Sequence, residues 1–216
     1  MEPETDDGQQ GKLTGQTGDV GAVLRHDLKT PLATAMGHLE LAWETGEFDH
    51  LEKTKAALER MEAIIDDLSG VIEEGQVVNE VVDVDVGETA RQVWDTFEDG
   101  NSELRTESVV IHADESALYR LFENLIKNAL EHGGDEITVR IGEIDEGFYV
   151  EDDGLGIPAD ERRAVLQPGY SSIEDGTGLG LVSVHQIALA HGWTMDVVEG
   201  SEGGARVEFR DVAMIR

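Results

Sequence analysis

With 47 acidic and 16 basic side chains among 216 residues, the chain carries a formal net charge of −31; nucleic acid and anionic membrane surfaces repel such a protein. It has no cysteine, which excludes disulfides, thiolate nucleophiles and Cys-ligated metals. No apolar run nears the roughly 18 residues that span a bilayer, so a cytoplasmic protein with no membrane insertion is expected, long enough for one small and one medium domain.

Residues 1–19 are acidic, Gly/Thr/Gln-rich and poor in apolar side chains, and read as a flexible acidic lead. From Val20 to about Glu44, apolar residues at Val20, Leu24, Leu28, Leu32, Ala35, Leu39 and Ala42 have helical spacing. Pro31 inside this helix predicts a kink near Asp27, and Thr45-Gly46-Glu47-Phe48-Asp49 makes a turn. A second helix over about 50–73 carries Leu51, Leu58, Met61, Ile65, Leu68 and Ile72 as a heptad seam. Two amphipathic helices cannot enclose a core alone, so residues 20–73 predict an antiparallel hairpin that pairs with a second copy as a dimeric four-helix bundle.

After a linker at 74–80 the pattern changes. Strands are expected at 81–84, 109–111, about 136–142, 147–151, 193–198 and 205–210. Helices are expected at 86–97, with Asp85 and Glu88 as a capping box, at 115–131 and at 179–190. Residues 81–216 thus form a second, α+β domain, a sandwich with helices on one face of a sheet.

Four segments suggest chemistry. In His26-Asp27-Leu28-Lys29-Thr30-Pro31 the imidazole lies off the Leu24–Leu28 stripe and faces outward. Asp27 is suited to fix its tautomer and to stabilise a positive ring; a solvated surface pair is the plainer alternative. Asn124, Asn128 and His132 share one stripe of the helix expected at 115–131, opposite Leu118, Leu121, Leu125 and Ala129. Amide oxygens there are able to hold Mg²⁺, which keeps waters and takes its remaining ligands from phosphates; a solvated face is the alternative. Val150 to Pro158 delivers Asp152 at the end of a strand, with Gly154 and Gly156 letting backbone approach a flat ligand closely, though a plain turn has the same pattern. Gly176-Thr177-Gly178-Leu179-Gly180-Leu181 opens an apolar helix whose free N–H groups suit a phosphate. Between these glycine clusters, residues 159–175 are polar and aperiodic, as expected of a mobile lid. Ser171, Ser172 and Thr177 offer hydroxyls for phosphate or for loop structure.

In order and spacing, His26 to Pro31, Asn124 to His132, Asp152 to Gly156 and Gly176 to Leu181 resemble the H-, N-, D- and G-boxes of two-component sensor histidine kinases over residues 20–210. The resemblance implies a phosphoacceptor and dimerisation hairpin followed by an ATP-binding domain of the Bergerat (GHKL) fold, with a mixed sheet and helices on one face. It implies His26 as phosphoacceptor, Asn128 as the principal Mg²⁺ ligand with Asn124 assisting, and Asp152 as the adenine contact. Gly154, Gly156, Thr177, Gly178, Leu179 and Gly180 would line the nucleotide loops, and Lys127 and His132 would touch phosphate or adenine. The implied activity is ATP-dependent autophosphorylation followed by transfer to the receiver domain of a response regulator, and Asp27 with Thr30 matches the family's phosphatase motif. A separate sensor protein is implied for input.

Two departures stand out: Asp153 occupies a position where Asn is usual, and Val165-Leu166-Gln167-Pro168-Gly169-Tyr170 replaces a phenylalanine-centred box. The low Lys content, five of the 16 basic residues, and the end-to-end acidity suggest a haloarchaeal type, since at about 1 M salt a Debye length of roughly 3 Å screens self-repulsion; an ordinary acidic cytosolic protein is the alternative. The rival functions are a degenerate dimeric adaptor or phosphotransfer scaffold, and a serine kinase of the anti-sigma-factor type. His26 and the heptad helix argue against the latter.

Overall fold

The computed structural model describes residues 13–74, 78, 80–97, 100–134, 136–167, 170 and 178–215, without the side chains of 13–27, 62–63 and 66–74. The chain divides into a helical unit and an α/β unit. In the first, α1 spans Leu13–Thr45 and α2 spans Asp49–Glu74. Residues 13–19, expected in a flexible lead, are helical instead, because a nucleated helix gains a hydrogen bond for each residue added; residues 1–12 lie outside the described residues. Pro31 sits inside α1, which continues through it. Gly46, at φ +73°, ends α1 by donating its N–H to Ala42 O at 2.9 Å, a left-handed cap that a residue with a Cβ adopts only with strain.

The two helices run antiparallel: His50 on α2 meets His38, and Thr54, one turn further on, reaches back to Ala35 on α1. Pro31, Ala35, Ala57 and Ile64 are buried in this unit, while Leu32, Met36, Leu39, Leu51, Leu58 and Ile65 remain exposed.

The α/β unit begins with β1 (Val81–Asp85), α3 (Val86–Trp94), β2 (Glu103–Thr106), β3 (Val110–Asp114) and α4 (Glu115–Gly133). It continues with β4 (Thr138–Ile144), β5 (Gly147–Asp152), a 3-10 turn at Ala164–Leu166, α5 (Gly180–Ala190), β6 (Thr194–Glu199) and β7 (Ala205–Arg210). β1 and β3 form a small antiparallel sheet, and the main sheet has the order β2-β4-β5-β7-β6. Only β2 and β4 pair in parallel, so the sheet is mixed. Asp85 caps α3 by accepting the Glu88 N–H at 3.0 Å, as the capping box requires, and Asp114 caps α4 through Ser116 and Ala117. α3 ends at Trp94, earlier than its apolar pattern suggests.

Alternation along β5 assigns its side chains to two layers. Phe148 and Val150 face the helices, and Phe148 stacks on Phe209 at 4.7 Å and meets Trp193 edge-on at 5.8 Å. Leu118, Leu121, Phe122, Leu125, Ile126 and Ala129 of α4 close this core. On the other face Tyr149 lies under the Arg206 guanidinium, 3.7 Å from its centroid, and Glu151 is 3% exposed. The Glu151 carboxylate accepts from Ser201 Oγ at 2.6 Å, from Ser201 N at 3.2 Å and from Arg206 Nη1 at 3.1 Å.

Burial pushes the Glu151 carboxyl up, but the Ser201 and Arg206 donors outweigh it and hold it below the usual carboxylate range. A depressed folded-state value gives stability that is present above the unfolded value and is lost as pH falls through the folded one. Replacing Arg206 by Met leaves this carboxylate with Ser201 and with Arg140 Nη1 at 3.8 Å, and should lower the unfolding free energy at neutral pH by about 2 kcal/mol. Denaturant titrations at descending pH should show the deficit shrinking once Glu151 is protonated; a deficit that stays constant would mean that lost packing, not charge, is responsible.

Candidate functional site

The core-facing stripe of α4 leaves Asn124 and Asn128 half-buried beside it. Gly180, the first residue of α5, packs against both. A Cβ on Gly180 would stand 3.2 Å from Asn124 Oδ1 and 3.4 Å from Asn128 Oδ1, so glycine lets the amino end of α5 approach the two amides. Asn124 Nδ2 donates to Arg120 O at 3.0 Å, which turns its Oδ1 toward Gly180. The Asn128 amide makes no hydrogen bond among the described residues. The N–H groups in the first turn of α5, which have no intrahelical acceptor, and two amide oxygens therefore meet at one place, a combination suited to an anion with its cation.

Asp152 ends β5 on its core-facing side. Its Oδ1 accepts from Gly154 N at 2.9 Å and from Ala205 N at 3.1 Å, leaving Oδ2 without a partner among the described residues. Burial pushes this carboxyl above the usual range; the two N–H donors oppose that, and the neighbouring Asp153 and Glu151 charges add to it. A turn at 200–204, which no local motif links to the site, forms its wall. A Cβ on Gly204 would lie 2.0 Å from Asp152 O and 2.5 Å from its Oδ1, and one on Gly200 would lie 3.1 Å from the same carbonyl. The Gly-Ser-Glu-Gly-Gly run was the available signal, legible as a turn but not as a wall.

Gly154 and Gly156 are close to protein backbone: a Cβ on the first would meet Gly133 Cα at 2.6 Å, and one on the second, at φ +71°, would meet Gly203 O at 2.5 Å. Gly154 thus ties the Asp152 loop to the end of α4. From Asn128 to Gly133 that helix rises roughly 7.5 Å, and from Asn124 about 13.5 Å, a separation comparable with that between the base and the phosphates of a nucleotide.

Of the other expected residues, Lys127 is exposed on α4, His132 is half-buried in its last turn, Leu179 is buried, and Gly178 has φ +64°. Thr177, Ser171, Ser172 and Gly176 lie outside the described residues. So do the side chains of His26 and Asp27, whose backbones belong to α1; Thr30 is exposed. Asp153 Oδ1 accepts from Thr138 N at 2.7 Å. Burial raises that carboxyl, but the Thr138 donors prevail and hold it low. Within the expected lid, the Tyr170 hydroxyl donates to Glu161 Oε2 at 2.6 Å, and Leu166 packs on the core; residues 168–169 and 171–175 lie outside the described residues.

Residues 17–71 match the family model of the His Kinase A (phospho-acceptor) domain, and residues 113–212 match that of the Histidine kinase-, DNA gyrase B-, and HSP90-like ATPase. The two matched segments follow one another along the chain, a phosphoacceptor-type segment first and an ATPase-type segment after it. Among curated relatives, the sensor histidine kinase CpxA of Escherichia coli is 27% identical over 205 residues, covering 85% of this chain and 44% of CpxA. The signal transduction histidine-protein kinase/phosphatase MprB of Mycobacterium bovis is 28% identical over 203 residues, covering 83% of this chain and 40% of MprB. The chain therefore spans less than half the length of these relatives. The histidine kinase ThkA, solved in complex with response regulator protein TrrA, shares the fold with TM-score 0.71 and 18% identity over 95% of this chain and 64% of ThkA.

Asp152→Asn separates ligand recognition from folding. A carboxyl raised in the folded state contributes stability below its unfolded value and loses it as pH rises through the folded value. Near neutral pH the ionised side chain is thus a cost to the fold, while Asn keeps the Oδ1 acceptor without the charge. The variant should melt at or above the wild-type temperature at pH 7, yet bind ATP at least about tenfold more weakly. A lower melting temperature with unchanged ATP affinity would assign Asp152 to the fold alone.

Proposed function

We propose that this chain is the catalytic core of an ATP-dependent protein histidine kinase that phosphorylates itself on His26 and passes the phosphoryl group to an aspartate of a response regulator's receiver domain. The reading is carried by the meeting of Asn124, Asn128 and the amino end of α5, with Asp152 at the other end of the same α4-lined wall, in a chain whose preceding segment matches a phosphoacceptor domain. In this reading residues 20–73 are the phosphotransfer hairpin, 74–80 the linker and 81–216 the ATP-binding domain.

The Asn128 amide, without a partner among the described residues, and the room left by Gly180 fit a hydrated Mg²⁺. Asn128, assisted by Asn124, would hold that ion, which when bound neutralises triphosphate charge. Asp152 accepts the adenine amine through its unpartnered oxygen. Residues 177–180 would line the phosphates with the first-turn N–H groups of α5, Lys127 and His132 would touch phosphate or adenine, and Gly154 and Gly156 keep the Asp152 loop in place. The neutral His26 ring attacks the γ-phosphorus in line: a nitrogen–phosphorus bond forms, the bond to the bridging oxygen of ADP breaks, and the ring's other N–H is held by Asp27. The catalytic machinery mainly positions groups and screens charge. Asp27 and Thr30 would orient a water for dephosphorylating the regulator, an activity consistent with the kinase/phosphatase name of MprB.

Exposed Leu32, Met36, Leu39 and Trp43 recur at heptad spacing on α1, as do Leu51, Leu58 and Ile65 on α2, which supports a homodimer through this hairpin. The charge of −31 supports a haloarchaeal protein working in a salt-rich cytoplasm. No helix among the described residues is long and apolar enough to cross a membrane.

Incubation with γ-labelled ATP and Mg²⁺ in molar KCl should label the wild type with an acid-labile, base-stable phosphoryl group, and His26→Gln should remain unlabelled. Binding of ATP without any label would exclude the kinase and favour the adaptor.

A further inference from the structure

The turn end of the hairpin holds a second pair of chemically active side chains, remote in sequence from the His26 segment. His38 Nδ1 and His50 Nδ1 lie 3.2 Å apart, with the rings nearly parallel at 24° and their centroids 5.4 Å apart. Both residues are half-buried. With nothing between them, one Nδ1 has to donate to the other. Two nitrogens bound to one tetrahedral Zn²⁺ at about 2.0–2.1 Å stand roughly 3.3–3.4 Å apart, so the two rings already have the bite of a bidentate site.

The far side of His50 supplies a second observation. Glu47 Oε2 lies 3.6 Å from His50 Nε2. At that separation the carboxylate does not hydrogen-bond the ring, but its charge favours the tautomer with the proton on Nε2, which leaves the Nδ1 lone pair for a metal. The backbone around the rings is also held in place. Gly46 closes α1, the Thr54 hydroxyl donates to His50 O at 2.9 Å, and it lies 3.5 Å from Ala35 O. No cluster of three or more His, Cys, Asp or Glu side chains among the described residues is placed to hold a metal, so the remaining coordination positions fall to water or to groups of another molecule.

We propose that His38 and His50 form a two-imidazole site for a borderline divalent transition metal such as Zn²⁺, Ni²⁺ or Cu²⁺, clamping α1 to α2 at the turn. Nitrogen ligands select these ions over Mg²⁺, which takes oxygen. The site is therefore chemically separate from the amides Asn124 and Asn128, and it stands whether or not the kinase reading does. The ion links the helices where the chain reverses, and so fixes their register from the turn outward.

The test uses tag-free full-length protein, stripped with chelator and titrated with Zn²⁺ by calorimetry in molar KCl. Wild type should bind one ion per chain, His38→Ala and His50→Ala should each bind at least about a hundredfold more weakly, and the exposed Glu47→Gln about ten- to a hundredfold more weakly. His112→Ala, on β3, serves as control and should match wild type. Cu²⁺ bound to the wild type should show hyperfine coupling to two nitrogens by electron paramagnetic resonance. Should either histidine variant unfold, Glu47→Gln and the Cu²⁺ spectrum still decide. Unchanged Zn²⁺ affinity in the variants, or a Cu²⁺ spectrum with oxygen ligands only, would overturn the site.

Discussion

Two neighbouring carboxylates at the end of one central strand govern the α/β unit. β5 has β4 and β7 as partners on its two sides, so its last residues are enclosed laterally, and alternation sends Glu151 to one face and Asp152 to the other. Burying either charge is unfavourable unless donors replace the lost water. Glu151 receives a guanidinium and a serine, and this fastens the open face of the sheet to the turn at 200–204. Asp152 receives two backbone N–H groups on one oxygen only. The strand end is thus anchored on one side and left under-satisfied on the other. The same turn serves both carboxylates: Ser201 binds the first, while Gly200 and Gly204 give the second room.

Charge is the second organising constraint. A protein with 31 excess negative charges must, on the proposed reading, receive a polyanionic nucleotide. The described site meets that requirement with few side-chain cations. Its means are the amino end of α5 and close-packed glycine backbone, which favour an anion without adding a counter-charge that nearby carboxylates would neutralise, and neutral amides whose oxygens suit the accompanying cation. Arg105, Arg140, Arg206 and Arg210 are instead paired with Glu103, Glu202, Glu151 and Glu208. Bulk salt would screen the remaining repulsion.

Periodicity made most of the fold legible. Heptad and helical spacings locate both hairpin helices, and the Asp85/Glu88 pair marks the start of α3. The strands read from alternating apolar residues all appear, with bounds shifted by at most three residues. β2 escaped notice because Glu103-Leu104-Arg105-Thr106 is an edge strand with a single apolar side chain. The early start of α1 escaped because Gly15, Gly18 and Gly21 are poor helix formers locally. Asn124, Asn128, Asp152 and Gly180 are recognisable as motifs within short windows. The turn at 200–204 is 48 residues beyond Asp152 in the chain, and the Glu151–Arg206 pair spans 55 residues; no local pattern encodes such a contact. The His38–His50 pair depends in the same way on where the hairpin turns.

In the proposed kinase, Asp152 reading the amino group of adenine is the contact on which nucleotide recognition most depends. Calorimetric titration of the full chain with ATP and with inosine triphosphate, which carries a carbonyl oxygen in place of that amine, isolates this one contact. An acceptor oxygen facing a carbonyl loses its hydrogen bond and gains repulsion, so the inosine nucleotide should bind about ten- to a hundredfold more weakly. Equal affinities would contradict the placement of the base at Asp152 and, with it, the assignment of the whole wall from α4 to α5 as the nucleotide site.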